Sequence, residues 1–311
     1  MINIIGKRYY FFALSLLIII PGLALLGFKV SQGQVPVSID FTGGSLLEVR
    51  FADVAPSEVD IISLYRELGV EDVKVQTTSD GTYVIRSSVL ADEVRGSVVD
   101  ELSKKFDTEV TNLRYESVGP TIGREVTSRA AQAVGVAALI VTIYMTFAFR
   151  GVPHAIRFGI CAIIAMFHDV AIVFSLTAIG SVLWGWQIDS LFLTALLTVI
   201  GFSVQDKVVV FDRVRENTGI YRRLPFEKLV NHSIVQTLQR SINTQLMTVE
   251  FMLLALALFG GITLREFSTI LLVGLFSGTY SSIFIAAPIL VVWEGKEWKN
   301  WFRSKESTAP A

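Results

Sequence analysis

Six stretches of this chain each stay apolar over close to the length that a helix needs to cross a hydrocarbon core, roughly 20 residues for 30 Å. They occupy residues 9–28, 130–149, 158–179, 191–211, 244–262 and 268–293. Such a pattern predicts a polytopic α-helical membrane protein with six transmembrane helices. Composition agrees: the 311 residues are 52% hydrophobic and only 18% charged, with a mean hydropathy of +0.55, which argues against a soluble domain. The fifth stretch is the weakest, because its apolar core is short and Glu250 interrupts its first half. The first has a second reading. Lys7 and Arg8 precede it and Gly22-Leu23-Ala24 loosely fits a small-x-small cleavage site, so it could be a removable signal peptide; the rest of the topology would be unchanged.

Orientation follows from Lys and Arg near the span ends. Lys7, Arg8, Arg150, Arg157, Arg213, Arg215, Arg222, Arg223, Lys228, Arg240, Lys296, Lys299, Arg303 and Lys305 all fall on one side of a six-span topology, whereas the short loops opposite hold only Arg265. Both termini are therefore expected in the cytoplasm, with residues 296–311 as a cytoplasmic tail. Trp184, Trp186, Trp293, Trp298 and Trp301 sit at or just beyond span ends, where interfacial belts place this residue. The single cysteine, Cys161, and three histidines exclude an internal disulfide framework and a cysteine-based zinc cluster, and the sequence predicts neither a metal nor an organic cofactor. A net charge of −1 gives no basic surface of the kind nucleic acid requires.

Residues 29–129 break the apolar pattern with 17 acids against 11 bases. They are expected to form an acidic domain outside the membrane, between the first helix (1–28) and a five-helix region (130–295). Leu46, Val49 and Phe51 mark a strand, and Ser57-Glu58-Val59-Asp60 opens a helix through Leu68 as a capping box. Val73 and Val75, then Tyr83 and Ile85, alternate around Ser79-Asp80-Gly81, a hairpin turn. A second helix at 91–106 and a strand at 110–116 complete an order that matches a ferredoxin-like split unit. Nothing in it resembles a catalytic constellation, so its expected work is contact. Asp40-Phe41-Thr42-Gly43-Gly44 reads as a turn needing positive φ; as a phosphate loop it lacks a glycine-rich run into a helix and a following lysine.

Ionisable groups inside spans cost roughly 2.5–3.5 kcal/mol each at the bilayer centre, which makes each a functional candidate. Asp169 lies deep in the third span beside His168, Asp206 and Lys207 share the fourth, and Glu250 is in the fifth. Ser203, Asp206, Lys207 and Val210 fall at helical spacing on one stripe, which Asp169 could meet from its neighbouring helix. One reading is a proton relay through Asp169, Asp206 and Lys207, in which a carboxylate changes charge and the pairing with Lys207 opens or closes. The other is a permanent buried ion pair, or a Lys207 that snorkels to the interface. His168 reads as a hydrogen-bonding neighbour rather than a shuttle, and Glu250 as a group near enough to the interface to be wet. Gly274-x-x-x-Gly278 with Ser281 and Ser282 gives the sixth span a small-residue face for close helix approach. The basic segment 212–240 suggests a helix along the cytoplasmic membrane surface.

Several motifs resemble one known family. Asp40-Phe41-Thr42-Gly43-Gly44 is similar to the opening motif of the external domain in the SecD/SecF family, accessory subunits of the Sec protein translocase. Gly119-Pro120-Thr121-Ile122-Gly123 with Glu125 resembles its second motif. The run from Gly201 through Asp206, Lys207, Asp212, Arg213, Arg215 and Glu216 to Asn217 resembles the SecF fourth-span motif closely, and Thr237-Leu238-Gln239-Arg240-Ser241 and Phe259-Gly260-Gly261 continue it. The short external domain and the fourth-span wording favour the SecF branch over SecD. The resemblance implies a six-span half of the resistance-nodulation-division superfold in the bacterial plasma membrane. That half pairs with SecD, associates with the SecYEG channel and uses the proton-motive force to help move a translocating polypeptide outward. It also implies that Asp169 is the proton-responsive carboxylate and that Lys207 corresponds to a basic residue found in some members. Many relatives have Asn-Asp followed by Ser or Thr where this chain has Gln205-Asp206-Lys207, and a further key acid belongs to SecD.

The expected function is thus a non-enzymatic, proton-driven translocase subunit in contact with SecD, SecYEG, the translocating chain and membrane lipid, with no nucleic-acid partner and with protons as the coupling ion. A proton-coupled small-molecule exporter of the same superfold is the alternative, against which a hundred-residue external domain looks small for a substrate pocket. A purely structural scaffold for the channel is a third.

Overall fold

The computed structural model describes residues 3–32, 35–53, 55–70, 72–77, 81–148, 155–245, 251–260 and 262–296. Among them, five helices are long and apolar enough to cross a membrane: Ile5–Ser31, Pro120–Met145, Ile156–Leu183, Ser190–Ile220 and Leu264–Glu294. The stretch predicted as the fifth span, 244–262, overlaps the end of one helix and a nine-residue helix at Phe251–Phe259. Nine residues rise only about 13 Å, and Glu250 lies outside the described residues, as do Trp298 and Trp301.

The contacts divide the chain into two compact units. The first contains Met1–Gln32, Gly135–Ile179 and Thr194–Ala311. Its helices are α1 (Arg8–Ser31), most of α5 (Pro120–Ala148), α6 (Ala155–Leu183), most of α7 (Ser190–Ile220), α8 (Phe226–Gln245), α9 (Phe251–Phe259), α10 (Ile262–Ser281) and α11 (Ala287–Glu294). A π turn, Ser282–Ala286, joins the last two without a break. Pro288 follows it and has no N–H for the carbonyl four residues earlier, so a widened turn is a local solution to the mismatch.

Two helices run further than their apolar stretches. α5 begins at Pro120, ten residues before the predicted span, and α7 continues to Ile220, nine residues past it. The added turns are polar, with an Arg129–Glu125 ion pair at 2.6 Å and an Arg215–Asp212 pair at 2.8 Å. A search for apolar runs stops at such residues, while the helix itself does not. Proline at the first helical position, where its missing N–H has no partner to lose, explains where α5 starts.

The second unit holds Gly33–Val134 and Gly180–Leu193. Strands β1 (Gly44–Phe51), β2 (Lys74–Thr77), β3 (Thr82–Ser87) and β4 (Val110–Val118) form an antiparallel sheet in the order β2-β3-β1-β4. The one-turn α2 (Ile39–Thr42) precedes β1, and α3 (Glu58–Glu67) and α4 (Asp92–Phe106) interrupt the strands in sequence. Ser57 caps α3 by accepting the Asp60 N–H at 3.2 Å. Period-two burial puts Leu47, Val49 and Phe51 of β1 into the core with Tyr83 and Ile85 of β3 and with Ile61, Leu64, Val98 and Leu102 from the helices. Of the predicted hairpin turn, Ser79 and Asp80 lie outside the described residues; Gly81 has a φ of 79°.

Segment 180–193, of which the sequence presents 180–190 as a short loop, belongs to this unit, with main-chain bonds at Ile188. Ile188 N donates to Pro36 O at 2.7 Å and Ser38 N to Ile188 O at 3.0 Å.

Candidate functional site

Among the described residues, the first unit buries three charged side chains on neighbouring helices, Asp169 on one and Asp206 and Lys207 on the next, with a partly buried His168 beside Asp169. Asp169 and His168 sit at the middle of α6, and Lys207 is on α7 with its ammonium wholly enclosed. Lys207 Nζ donates to Asp169 Oδ2 at 2.8 Å, to Ser203 Oγ at 2.5 Å and to Ser203 O at 3.1 Å. An ammonium has three protons, and each is accounted for. Lys207 therefore does not snorkel.

Asp169 is held from three helices. Oδ2 accepts from Lys207, from Ser203 Oγ at 2.6 Å and from Ser281 Oγ at 2.7 Å. Oδ1 accepts from Ser277 Oγ at 2.8 Å and meets His168 Nδ1 at 3.0 Å. Every neighbour here can serve the ionised carboxylate as a donor, and an ionised carboxylate is acceptor-only. The arrangement thus fits Asp169⁻ beside Lys207⁺. A proton arriving at Asp169 would make one oxygen a donor facing donors, so the α6–α7–α10 contact would have to rearrange.

Helical spacing assembles this cage. Ser203 and Lys207 stand four residues apart on α7, as Ser277 and Ser281 do on α10, so each pair shares a face. The same face of α10 carries Gly274 and Gly278. A Cβ at Gly278 would lie 3.3 Å from Ser203 Cα, and one at Gly274 would strike Val199 and Val173. The small residues let α10 come close enough for serine hydroxyls, which are short, to reach a carboxylate on α6. Ser277 and Thr279 are residues that the sequence reading missed, and Ser281 entered it only as a packing residue. The signal available was the i, i+3, i+4, i+7 stripe of Gly and Ser opposite a predicted buried acid.

Asp206 is adjacent in sequence but points elsewhere: it accepts from Thr279 Oγ1 at 3.1 Å and is 7% exposed. Cys161 is fully buried. Among the described residues, no three His, Cys, Asp or Glu side chains come together as a metal site would need.

The remaining motif residues do structural work that the geometry makes plain. Asp40 accepts from Ser190 N at 2.9 Å and Ser190 Oγ at 2.6 Å. Gly43 and Gly44 have φ of 76° and 129°, and a Cβ at Gly44 would stand 2.6 Å from Ser87 O. Gly119 leads from β4 into Pro120, the first residue of α5, and a Cβ at Gly123 would lie 2.7 Å from Gly43 N. The two motifs are therefore the two sides of one close backbone contact, which Thr127 closes by donating to Phe41 O at 3.0 Å. At the polar end of α7, Arg213 bonds Glu216 at 2.5 Å and Gln236 at 2.8 Å, and the buried Asn217 bonds Ser233 at 2.8 Å. These hold α8 against α7; the segment 212–240, expected as one amphipathic helix, is divided between the end of α7 and most of α8. α8 in turn holds the chain's beginning: Asn231 Oδ1 accepts from Ile4 N at 2.8 Å, and Glu227 pairs with Arg8 at 3.0 Å.

Comparison with known proteins places this architecture. A sequence profile described as "Protein export membrane protein SecD/SecF, C-terminal" matches residues 98–296. Protein translocase subunit SecF of Anaerolinea thermophila is 64% identical over 312 residues, with both chains fully covered. That of Thermobaculum terrenum is 44% identical over 323 residues, again with full coverage of both. The crystal structure of SecDF, a translocon-associated membrane protein from Thermus thermophilus, superposes with a TM-score of 0.80 at 33% identity; 94% of this chain is covered. This chain spans 39% of that SecDF chain, so it corresponds to less than half of the longer protein. On these matches, and on the helices described above, the chain belongs to the SecD/SecF family of protein-export membrane proteins and is a multi-pass helical membrane protein.

Proposed function

We propose that this chain is a SecF-type subunit of the Sec protein-export machinery, in which Asp169 and Lys207 form the proton-responsive element. The observation that carries the reading is the Asp169 carboxylate, buried and bonded by groups from α7 and α10 as well as its own helix. Protonation there removes the charge that holds Lys207 and reverses a hydrogen-bond direction at the junction of three helices. A proton is thereby converted into a helix displacement. The chain performs no covalent chemistry of its own in this reading and needs no cofactor beyond the coupling ion.

Partners follow from the relatives. SecDF joins in one chain a part similar to this protein and a longer remainder, and a SecD subunit is the natural occupant of that remainder's place. The SecYEG channel and the translocating polypeptide are the further partners of the reading. The distribution of Lys and Arg supports six spans with both termini cytoplasmic, residues 244–262 included as the fifth. It also supports placing residues 29–129 outside the plasma membrane. The strand order β2-β3-β1-β4 with two interposed helices supports a ferredoxin-like description of that region, whose role is contact with partner or substrate chain.

The test is Asp169→Asn in membrane vesicles that also carry SecD and the channel. Stimulation of export by a proton gradient is expected to disappear while the variant still assembles with SecD. Undiminished stimulation would overturn the assignment.

A further inference from the structure

His168 stands out in the first unit because only half of its chemistry is accounted for. Its side chain is 9% exposed. Nδ1 is engaged with Asp169 Oδ1 at 3.0 Å, while Nε2 is buried and meets no protein hydrogen-bonding group among the described residues. The ring is fixed from its face, stacked on Tyr280 with centroids 6.1 Å apart and planes 23° apart. Tyr280 is itself anchored, donating to Phe11 O of α1 at 3.0 Å. A histidine needed only to orient Asp169 would be expected to satisfy both nitrogens, because a buried polar atom left unpaired is costly.

The tautomer follows from the neighbour. Asp169, ionised and acceptor-only, requires a proton on Nδ1, and with Nδ1 so engaged the neutral tautomer that fits leaves a bare lone pair at the unpartnered Nε2. That is the arrangement of a general base whose opposite nitrogen already faces the next acceptor. We propose that His168 is the proton-transfer residue for Asp169, a role resting on the reading of Asp169 as the proton-responsive carboxylate.

The step balances without any further reactant. A hydronium ion gives its proton to Nε2 and is left as water as the Nδ1–H bond breaks, and the Nδ1 proton forms the O–H bond on Asp169 Oδ1. The ring ends neutral with its proton on Nε2, and Asp169 ends as the neutral acid. The reverse pair of transfers discharges Asp169 by the same route. Among the described residues, the ionisable groups in contact with the ring are Asp169 on α6 and Tyr280 on α10, with Lys207 on α7 beyond Asp169 and Asp206 next to Lys207 in sequence, bonded to Thr279. The charged residues of α1, Arg8 and Lys29, stand near its two ends.

The experiment compares His168→Asn with Asp169→Asn in proteoliposomes that contain this chain with SecD. An asparagine amide nitrogen occupies the place of Nδ1 and keeps the donor to Asp169, but it cannot pass a proton. Proton flux into the vesicles is expected to fall about tenfold or more in His168→Asn, with co-purification of SecD unchanged. Wild-type flux and pH profile in His168→Asn, with flux lost in Asp169→Asn, would overturn the role of His168 alone. Flux retained in Asp169→Asn would overturn the underlying assignment of Asp169. A readout independent of transport is the nitrogen NMR of the histidine-labelled chain in detergent. The neutral His168 ring is expected to exchange its Nδ1–H form for its Nε2–H form as pH falls and Asp169 takes a proton; a single neutral tautomer throughout would overturn the proposal.

Discussion

At the scale of single residues, the Asp169–Lys207 pair combines two properties that are separable by mutation. Removing one member of a buried ion pair leaves the other uncompensated and costs on the order of 3–5 kcal/mol, whereas replacing both by uncharged groups is often neutral. Lys207→Met is therefore expected to lower the thermal midpoint of the purified protein, and Asp169→Asn combined with Lys207→Met to restore most of it. Proton stimulation of export should be absent from both. Recovery of stimulation together with stability would mean that the pair only holds α6 and α7 together. The ionisable members of this site were legible in the sequence, because a charge in an apolar run is conspicuous and helical spacing aligns Ser203 with Lys207. Ser277 and Thr279 were not, since a hydroxyl residue in a membrane helix ordinarily bonds its own backbone and announces nothing. Their role becomes visible only when α10 is seen pressed on α7 at Gly278.

At the scale of elements, the lesson is where hydropathy stops and the helix continues. The polar turns of α5 and α7 cannot be found from apolar runs, yet they carry the Gly123–Gly43 contact and the Arg213–Gln236 bond. The start of α7 offers a pH test. Asp189 accepts from Phe192 N at 2.6 Å, and Ser190 next to it engages Asp40. Burial pushes the Asp189 carboxyl above its ordinary value, the Phe192 N–H pulls it back, and the Asp40 charge adds to the rise. A carboxyl raised in the folded state contributes stability that is full below its unfolded value, about 3.9, and is lost as pH rises through the folded value. Asp189→Asn keeps a good capping oxygen and removes that dependence. Amide exchange around Ile188 is expected to quicken from pH 4 to pH 7 more in the native protein than in the variant, after correction for intrinsic rates. Equal changes would dismiss the effect.

Over the whole molecule, the near-zero net charge resolves into an acidic segment at 29–129 and basic span ends, a separation that hydropathy and charge arithmetic make legible from sequence alone. The annexation of Gly180–Leu193 by the second unit was not legible, because it rests on main-chain bonds to Pro36 and Ser38 some 150 residues away. The proposed orientation is testable with single introduced cysteines, since native Cys161 is fully buried and should stay silent. Thr111→Cys, exposed on β4, is expected to react with an impermeant maleimide added to intact cells from which any outer barrier has been removed. Arg223→Cys should react only once the membrane is opened; the opposite pattern would invert the topology. The last span finally constrains its own length. Ser277 and Ser281 aim at Asp169, and further along Glu294 aims at Arg157, 2.6 Å away. An α-helix turns about 100° per residue, so the number of residues between these contacts fixes the angle between them. The π turn at Ser282–Ala286 holds about one residue more than an α turn would. Loss of one residue there would close it to an ordinary turn with both faces still on target, while a loss between it and either contact would swing one face away. A deletion within this helix is thus channelled into a window five residues wide.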